Sequence, residues 1–481
     1  MKSTAGDGTE NSLPRPGLAQ SGSPVEAELY EVQRTIYPRA VHGWFASWRV
    51  AVVLATQLVY YGGPWLTWNE RQAVLFDLAA RKFYIFGVVF WPQDFILLTA
   101  LLVISALSLF LFTAIAGRLW CGFACPQTVY TEIFMWIEHK LEGDHLARMK
   151  LDRQGMSMRK VLLKAAKHGT WIALSLWTGF TFVGYFTPIR TLSGEVSNLG
   201  LGPWETFWIL FYGFATYGNA GWMREQVCKY MCPYARFQSV MFDSDTLVIA
   251  YDEQRGEPRG SRSKSADHKA AGLGACVDCG ICVQVCPTGI DIRNGLQYEC
   301  IGCAACIDAC DQVMDKMRYA RGLIRYSTEN ALRGRYQDRD IVRHVLRSRT
   351  LVYSAILLAV VIAFSAALVL RVPLKVNVIR DRATLTRETT DGLLENVYRL
   401  QIMNTTERPR QFVITASGIE GLRLVLQQPV TVPAAGALTL PVALRIDPVA
   451  ASLGSHPVRF HIEDSADARV RADEKSVFYV R

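Results

Sequence analysis

Eight cysteines of this chain fall into two copies of one spacing. The first is Cys276-x2-Cys279-x2-Cys282-x3-Cys286-Pro287; fourteen positions after Cys286 comes Cys300-x2-Cys303-x2-Cys306-x3-Cys310. Gaps of two residues let a tight loop carry three thiolates to three corners of a cuboidal cluster, and the fourth thiolate must arrive from another direction. In bacterial two-cluster ferredoxins this spacing makes the fourth cysteine of each run a ligand of the other cluster. The pattern therefore predicts two [4Fe–4S] clusters with interlocked ligands. Cys276, Cys279, Cys282 and Cys310 hold one, and Cys286, Cys300, Cys303 and Cys306 hold the other. Gly280, Gly302, Ala304 and Ala305 leave room for backbone N–H groups to reach the cluster sulfurs. The second run departs from the pattern at Asp311, which stands where Pro is usual and is expected to alter the local turn. Structural zinc is the weaker reading, because zinc sites rarely double a run of four cysteines.

The chain has 481 residues, half of them hydrophobic although 20% are charged. Both numbers hold only if the apolar residues are gathered in runs. A membrane helix needs about 20 mostly apolar residues to cross roughly 30 Å of hydrocarbon. Leu351–Leu370 meets this without a single charge, and Trp44–Tyr61, Phe95–Ala116, Val161–Phe186 and Trp204–Trp222 are four further candidates. The segment FYIFGVVFWPQD before the second reads as an interfacial or re-entrant lead-in. Lys and Arg concentrate after the second run and from Arg224 to Arg349, whereas the connection between the third and fourth contributes only Arg190. By the positive-inside rule both basic loops are cytosolic. Arg71, Arg81 and Lys82 are a mild exception.

The resulting plan is a multidomain membrane protein of the bacterial cytoplasmic membrane with an α-helical bundle of about five spans. Residues 1–43 form a cytosolic tail and 44–222 the first four spans. Residues 223–349 are a cytosolic region holding a ferredoxin-like α+β insert, and 350–371 are the fifth span. The N-terminus shows no signal-peptide pattern. The net charge of +9 is thereby topological, and no nucleic-acid-binding motif accompanies it.

The other four cysteines lie in two Cys-x3-Cys-Pro motifs, Cys121–Cys125–Pro126 and Cys228–Cys232–Pro233, each just after a candidate span. Both pairs then share the cytosolic membrane face. A spacing of four puts two side chains on one helical face, and the following Pro biases the second cysteine out of the helix. Soft thiolates so placed suit Cu(I), zinc, an iron–sulfur cluster or dithiol cycling; inert helix-end cysteines are the plain alternative. His139, His145 and His168 are read as surface or interfacial groups, and Met223 and Met231 as packing. Residues 372–481 alternate apolar and polar positions between Gly, Pro, Asn and Asp. They predict an antiparallel immunoglobulin-like sandwich of roughly seven strands outside the membrane.

The segments AGRLWCGFACPQTVYTE, TFVGYFTPIR, AGWMREQVCKYMCPYARFQSVMFD, YDEQRGEPRG and GLIRYSTEN, with the ferredoxin run, closely resemble the FixG/RdxA/CcoG family of cytochrome oxidase accessory proteins. The resemblance covers nearly the whole chain after about residue 35. It implies five spans, an immunoglobulin-like C-terminal domain and a role in maturing cbb3-type cytochrome c oxidase. It further implies cupric reductase activity: Cys121, Cys125, Cys228 and Cys232 match the cysteines implicated in copper handling. The expected partners are a cytosolic electron donor, copper chaperones and oxidase assembly factors. The competing expectations are a quinone-linked electron conduit and a non-enzymatic assembly scaffold.

Overall fold

The computed structural model describes residues 36–264, 270, 272–381, 386–426 and 429–480; the tail expected over 1–43 lies outside them up to residue 35. Everything described beyond Ile36 belongs to one compact unit. Its long helices are α1 (Trp44–Gly62), α2 (Phe95–Ala116), α3 (Pro126–Glu142), α4 (Met158–Val183), α5 (Pro203–Thr216), α6 (Ala305–Met317) and α7 (Ser348–Val369). The apolar runs thus became helices close to the expected bounds. The fourth run is a composite: α5 passes into a π-helical stretch, Tyr217–Met223.

Among the described residues two helices are long and apolar enough to cross a membrane, Pro92–Ala116 and Ser348–Val369, and protein leaves their apolar stretches uncovered. They pack against each other. α4 and α5 touch through small residues, as helices in lipid do: a Cβ on Gly179 would sit 2.3 Å from the Ile209 carbonyl oxygen. The lead-in to α2 is not re-entrant. Its alternating residues form an antiparallel sheet of Val74–Asp77, Lys82–Ile85 and Val88–Phe90, which turns over at Phe86, where φ is 50°.

The C-terminal region is a β-sandwich. One sheet orders Arg423–Val425, Ala437–Ile446, Leu394–Asn404 and Leu374–Arg380, with Arg387–Glu388 added to Leu394–Asn404. The other orders Val430–Val432, Arg410–Ser417, Gly454–Asp464 and Arg471–Val480. The described strands number nine rather than roughly seven, because Arg387–Glu388 and Val430–Val432 are too short to leave an alternation in the sequence. Tyr398, Phe412, Phe460 and Phe478 fill the space between the sheets.

Buried carboxylates join these parts. Asp94, at the start of α2, accepts from Arg371 at 2.6 Å and from Lys375, tying the sandwich to the head of α2. Asp308, on α6, accepts from the backbone N–H groups of Phe45 (3.2 Å) and Ala46 (2.7 Å), so a side chain from the cysteine-bearing insert caps α1. The 22 residues of α2 span about 33 Å at 1.5 Å per residue. The sandwich and the cysteine insert therefore sit near opposite ends of α2.

Glu138 on α3 is buried among Arg224 (2.7 Å), Arg148 (2.9 Å) and Lys167 (3.4 Å). Burial opposes its charge, yet Arg224, Lys167 and Arg148 together hold the carboxyl below its usual range. The stabilisation is thus complete above the unfolded carboxylate value, about 4.3, and is lost as pH falls through the lower folded value. Glu138→Gln leaves three cations without their common partner and is expected to cost about 3–5 kcal/mol. Thermal unfolding at pH 7 reads that loss, and the gap between variant and wild type should shrink as pH drops through the carboxylate range.

Candidate functional site

Each cysteine run of the insert begins with the same backbone. Asp278 (φ 51°) and Gly280 (φ 64°) in the first correspond to Gly302 (φ 69°) and Ala304 (φ 60°) in the second. Two left-handed residues per loop wrap the chain around a common centre, and Gly280 and Ala304 then start the helices Ile281–Gln284 and α6. The runs diverge at their ends. Pro287 follows a helix of four residues, whereas Asp311 keeps its N–H and α6 runs on to Met317. Asp311 also accepts from the Gly322 N–H at 2.9 Å, so the missing proline extends the helix and gains a loop anchor. Strands Val248–Tyr251 and Ile324–Ser327 pair antiparallel beside the two loops.

The fold brings the cysteines of both runs close together, with Cys282 of the first run beside Cys306 of the second. Burial pushes the Cys300 thiol up to about 12, with Cys303 and Cys286 adding to it. Cys306 is raised by burial and then by Cys303, Cys300 and Cys286. In the other set burial pushes Cys310 up to about 12, joined by Cys282, Cys276 and Cys279. Cys286, Cys300, Cys303 and Cys306 line one cavity with Ile290, Ile292, Ile301 and Ala305. Among the described residues, no group of three or more His, Cys, Asp or Glu side chains is arranged to hold a single metal ion. A tetrahedral zinc site would bring sulfurs to about 3.8 Å from one another at 2.3 Å bonds; a cubane spreads them wider. The donor sets fit two [4Fe–4S] clusters, whose irons would offset the burial, and then the mutual repulsion, that raise these thiols.

The remaining four cysteines also converge, though not on one helical face. Cys121 lies in a short helix, Leu119–Phe123, while Cys125 is extended and precedes Pro126 of α3. Cys228 sits in a π-helical turn, Val227–Met231, and Cys232 is extended before the helix Pro233–Met241. The prolines thus end one helix and start the next, and each pair straddles the break. Burial pushes Cys228 up to about 12, with Cys125, Cys121 and Cys232 raising it further. Burial and then Cys125 lift Cys121 to about 11, against a hydrogen bond to the Gln238 side-chain oxygen at 3.4 Å.

Cys121 and Cys228 pack onto the shell of Ile301, Cys303 and Ala305. The approach is backbone to backbone: a Cβ on Gly122 would meet the Gly302 carbonyl at 2.7 Å and the Cys303 Cα at 2.8 Å. Two arginines that sequence reasoning missed hold this contact. Arg118 donates to the carbonyls of Tyr298, Cys300 (3.4 Å) and Ala235, and Arg49 donates to the Cys303 carbonyl at 3.4 Å. Their signal was a single arginine at the cytosolic margin of an apolar run, legible only once the fold shows both buried. The histidines stay apart from the cysteines. His145, expected at the surface, is buried against its helix and pairs with Asp144 at 3.1 Å, and His168 bonds Tyr217 at 3.0 Å and stacks on Trp222. His139 is exposed, as is Met231.

Comparison with known proteins agrees with this arrangement. The 4Fe-4S dicluster domain family matches residues 223–329, and a 4Fe-4S binding domain family matches 98–143. The family described as the IG-like fold at the C-terminal of FixG matches 364–481. The chain is 39% identical to the nitrogen fixation protein FixG of Rhizobium meliloti over 426 residues, 82% of this chain and 81% of that one. The chain belongs to the FixG family. Protein RdxA of Cereibacter sphaeroides is 40% identical over 408 residues, covering 82% of this chain and 85% of its own. A crystal structure of a FixG-related protein from Vibrio parahaemolyticus aligns with 23% of this chain and 97% of its own, at 25% identity and a TM-score of 0.21. This FixG-family protein is an iron–sulfur electron-transfer protein with a C-terminal immunoglobulin-like domain.

The glycine contact gives a direct check. Gly122→Ala forces the Cys121 helix off the Gly302–Cys303 loop and is expected to lower bound iron from about eight atoms toward four, as two four-iron clusters allow. Gly62→Ala, with nothing within 4 Å of the new methyl, should keep the full iron and sulfide content.

Proposed function

We propose that this protein reduces Cu(II) to Cu(I) at Cys121, Cys125, Cys228 and Cys232 and supplies the Cu(I) for assembly of a cbb3-type cytochrome c oxidase. The observation that carries the reading is the packing of Cys121 and Cys228 directly on the shell of Cys303, while Cys279 of the other set is exposed. One end of the cysteine array thus faces solvent and a cytosolic donor, and the other meets the membrane-face thiols. When bound, the [4Fe–4S] clusters supply one-electron storage and relay. The chain's own residues do the rest. Gly122 and Gly302 bring the two thiol systems into contact, Arg118 and Arg49 fix the loop, and the two cysteine pairs bind the metal. Each turnover takes one electron from the donor and converts one Cu(II) to Cu(I). The thiolates are ligands and are not consumed. Cu(I) is satisfied by two thiolates, so a pair suffices, and its preference for soft sulfur strengthens on reduction.

The accompanying topology has five spans, built on α1, α2, α4, α5 with its π-helical extension, and α7. The N-terminus and clusters face the cytosol and the sandwich faces the periplasm. Support comes from the basic loops and from the sandwich and the insert joining opposite ends of α2.

The test uses anaerobically purified, reduced protein, Cu(II) and a Cu(I)-selective chelator. Cys121→Ser/Cys232→Ser should retain its iron and sulfide and lose Cu(I) formation at least tenfold. Unchanged Cu(I) formation with full clusters would overturn the copper site. Reoxidation by a quinone analogue in that variant would then favour the quinone-linked conduit.

A further inference from the structure

We propose that the cavity between Pro38–Gly43, the first turns of α1 and the C-terminal half of α3 binds the phosphate headgroup of an anionic phospholipid. The inference rests on the membrane reading above and not on copper. The cavity measures about 310 Å³, the volume of roughly ten water molecules, which suits a phosphoglycerol headgroup. Its lining carries Arg39, Arg49, Lys140 and Arg148 against the single carboxylate of Glu132, with His42 and His139 also contributing.

The two deepest cations already have carboxylate partners: Arg49 meets Glu132 at 3.6 Å and Arg148 meets Glu138 at 2.9 Å. Arg49 is 8% exposed and Arg148 4%, and the Nε of each is buried without a hydrogen-bond partner. Those N–H groups are closed off by protein, so the charge a ligand in the cavity meets is chiefly that of Arg39 and Lys140, both exposed, and an anion with several acceptor oxygens answers it. Phosphate meets that requirement.

The position selects lipid as the source. The cavity is lined by Gly43, Ala46, Ser47 and Val50, and on the same turns Trp44 and Trp48 are 66% and 53% exposed. Exposed tryptophans at a helix end mark the headgroup level, and basic pockets at the cytoplasmic ends of membrane helices bind phospholipid headgroups. Exposed Leu54 and Leu58 continue the path that acyl chains would follow along α1. The far wall is Val285, Pro287 and Ala305, neighbours of Cys286 and Cys306. A bound headgroup therefore places negative charge beside the set that holds Cys286 and Cys306.

Native mass spectrometry of the whole protein, equilibrated with phosphatidylglycerol or phosphatidylcholine, reads the site. Phosphatidylglycerol should be retained in preference to phosphatidylcholine. Arg39→Gln/Lys140→Gln, on exposed residues that leave the fold intact, should weaken retention about fivefold per charge, from about 1 kcal/mol each. In nanodiscs, exchanging one lipid for the other should move the midpoint of one cluster in the wild type and not in the double variant. Equal retention of both lipids, or a double variant like wild type, would overturn the proposal. Displacement by millimolar inorganic phosphate would also overturn it, by showing a free-anion site. Copper reduction is measured separately, so failure here leaves the Cu(I) result standing, and the converse holds too.

Discussion

Where Gly122 meets the Gly302 carbonyl, a membrane-face helix and a cluster loop touch with no side chain between them, and the functional arrangement depends on that contact. The loop conformation demands positive φ at Gly302, and a methyl there would in turn press on the Arg118 carbonyl at 3.1 Å. Each side is therefore shaped for the other. Arg118 adds specificity by satisfying carbonyls from both the loop and the helix Pro233–Met241. A buried guanidinium without these acceptors would be expensive, so the loop and the two Cys-x3-Cys-Pro segments are held in one register.

The same logic of shared buried charge organises the rest of the molecule. Asp308 belongs to the helix between Cys306 and Cys310 yet caps α1, so the insert cannot shift without uncapping a membrane-face helix. At the far end of α2, Asp94 gathers Arg371 and Lys375, while Glu407 of the sandwich takes Arg71 from the loop before α2. The sandwich end of the helical bundle is thus tied to its domain by ion pairs in half-buried surroundings, and the insert end by a carboxylate that caps α1. Such pairs hold orientation better than isolated surface pairs do.

The sequence made some of this plain and hid the rest for physical reasons. The iron–sulfur character was readable because cuboidal coordination restricts cysteine spacing to a short list, and the helix bounds because apolar runs are local. The straddled geometry of Cys125 and Cys232 was half readable: the prolines announced that the second cysteine leaves the helix, but not that a new helix starts at once. The contacts of Arg49 and Arg118 were invisible, since they reach carbonyls 254 and 182 residues away. The small sheet before α2 was misread because Pro92 and Asp94 were weighed more heavily than the alternation in Lys82–Phe90.

The setting of Cys121 shows why thiols rather than carboxylates occupy the membrane face. Its sulfur meets the side chain of Gln238, which is fully buried and also bonds Thr113 at 3.5 Å, with Tyr234 beyond. A buried amide is tolerated only when its hydrogen bonds are made, so this polar track at the end of α2 belongs to the cysteine. A carboxyl in the same place would also be pushed by burial toward its neutral form, and its hard oxygens suit soft cations less well than sulfur does. A thiol stays neutral in the buried site and becomes an anion only when a soft cation replaces its proton. In the copper reading proposed above, a pair of cysteines holding one Cu(I) as two thiolates gives up two protons and carries one net negative charge, which Arg118 near Cys121 and Cys228 offsets.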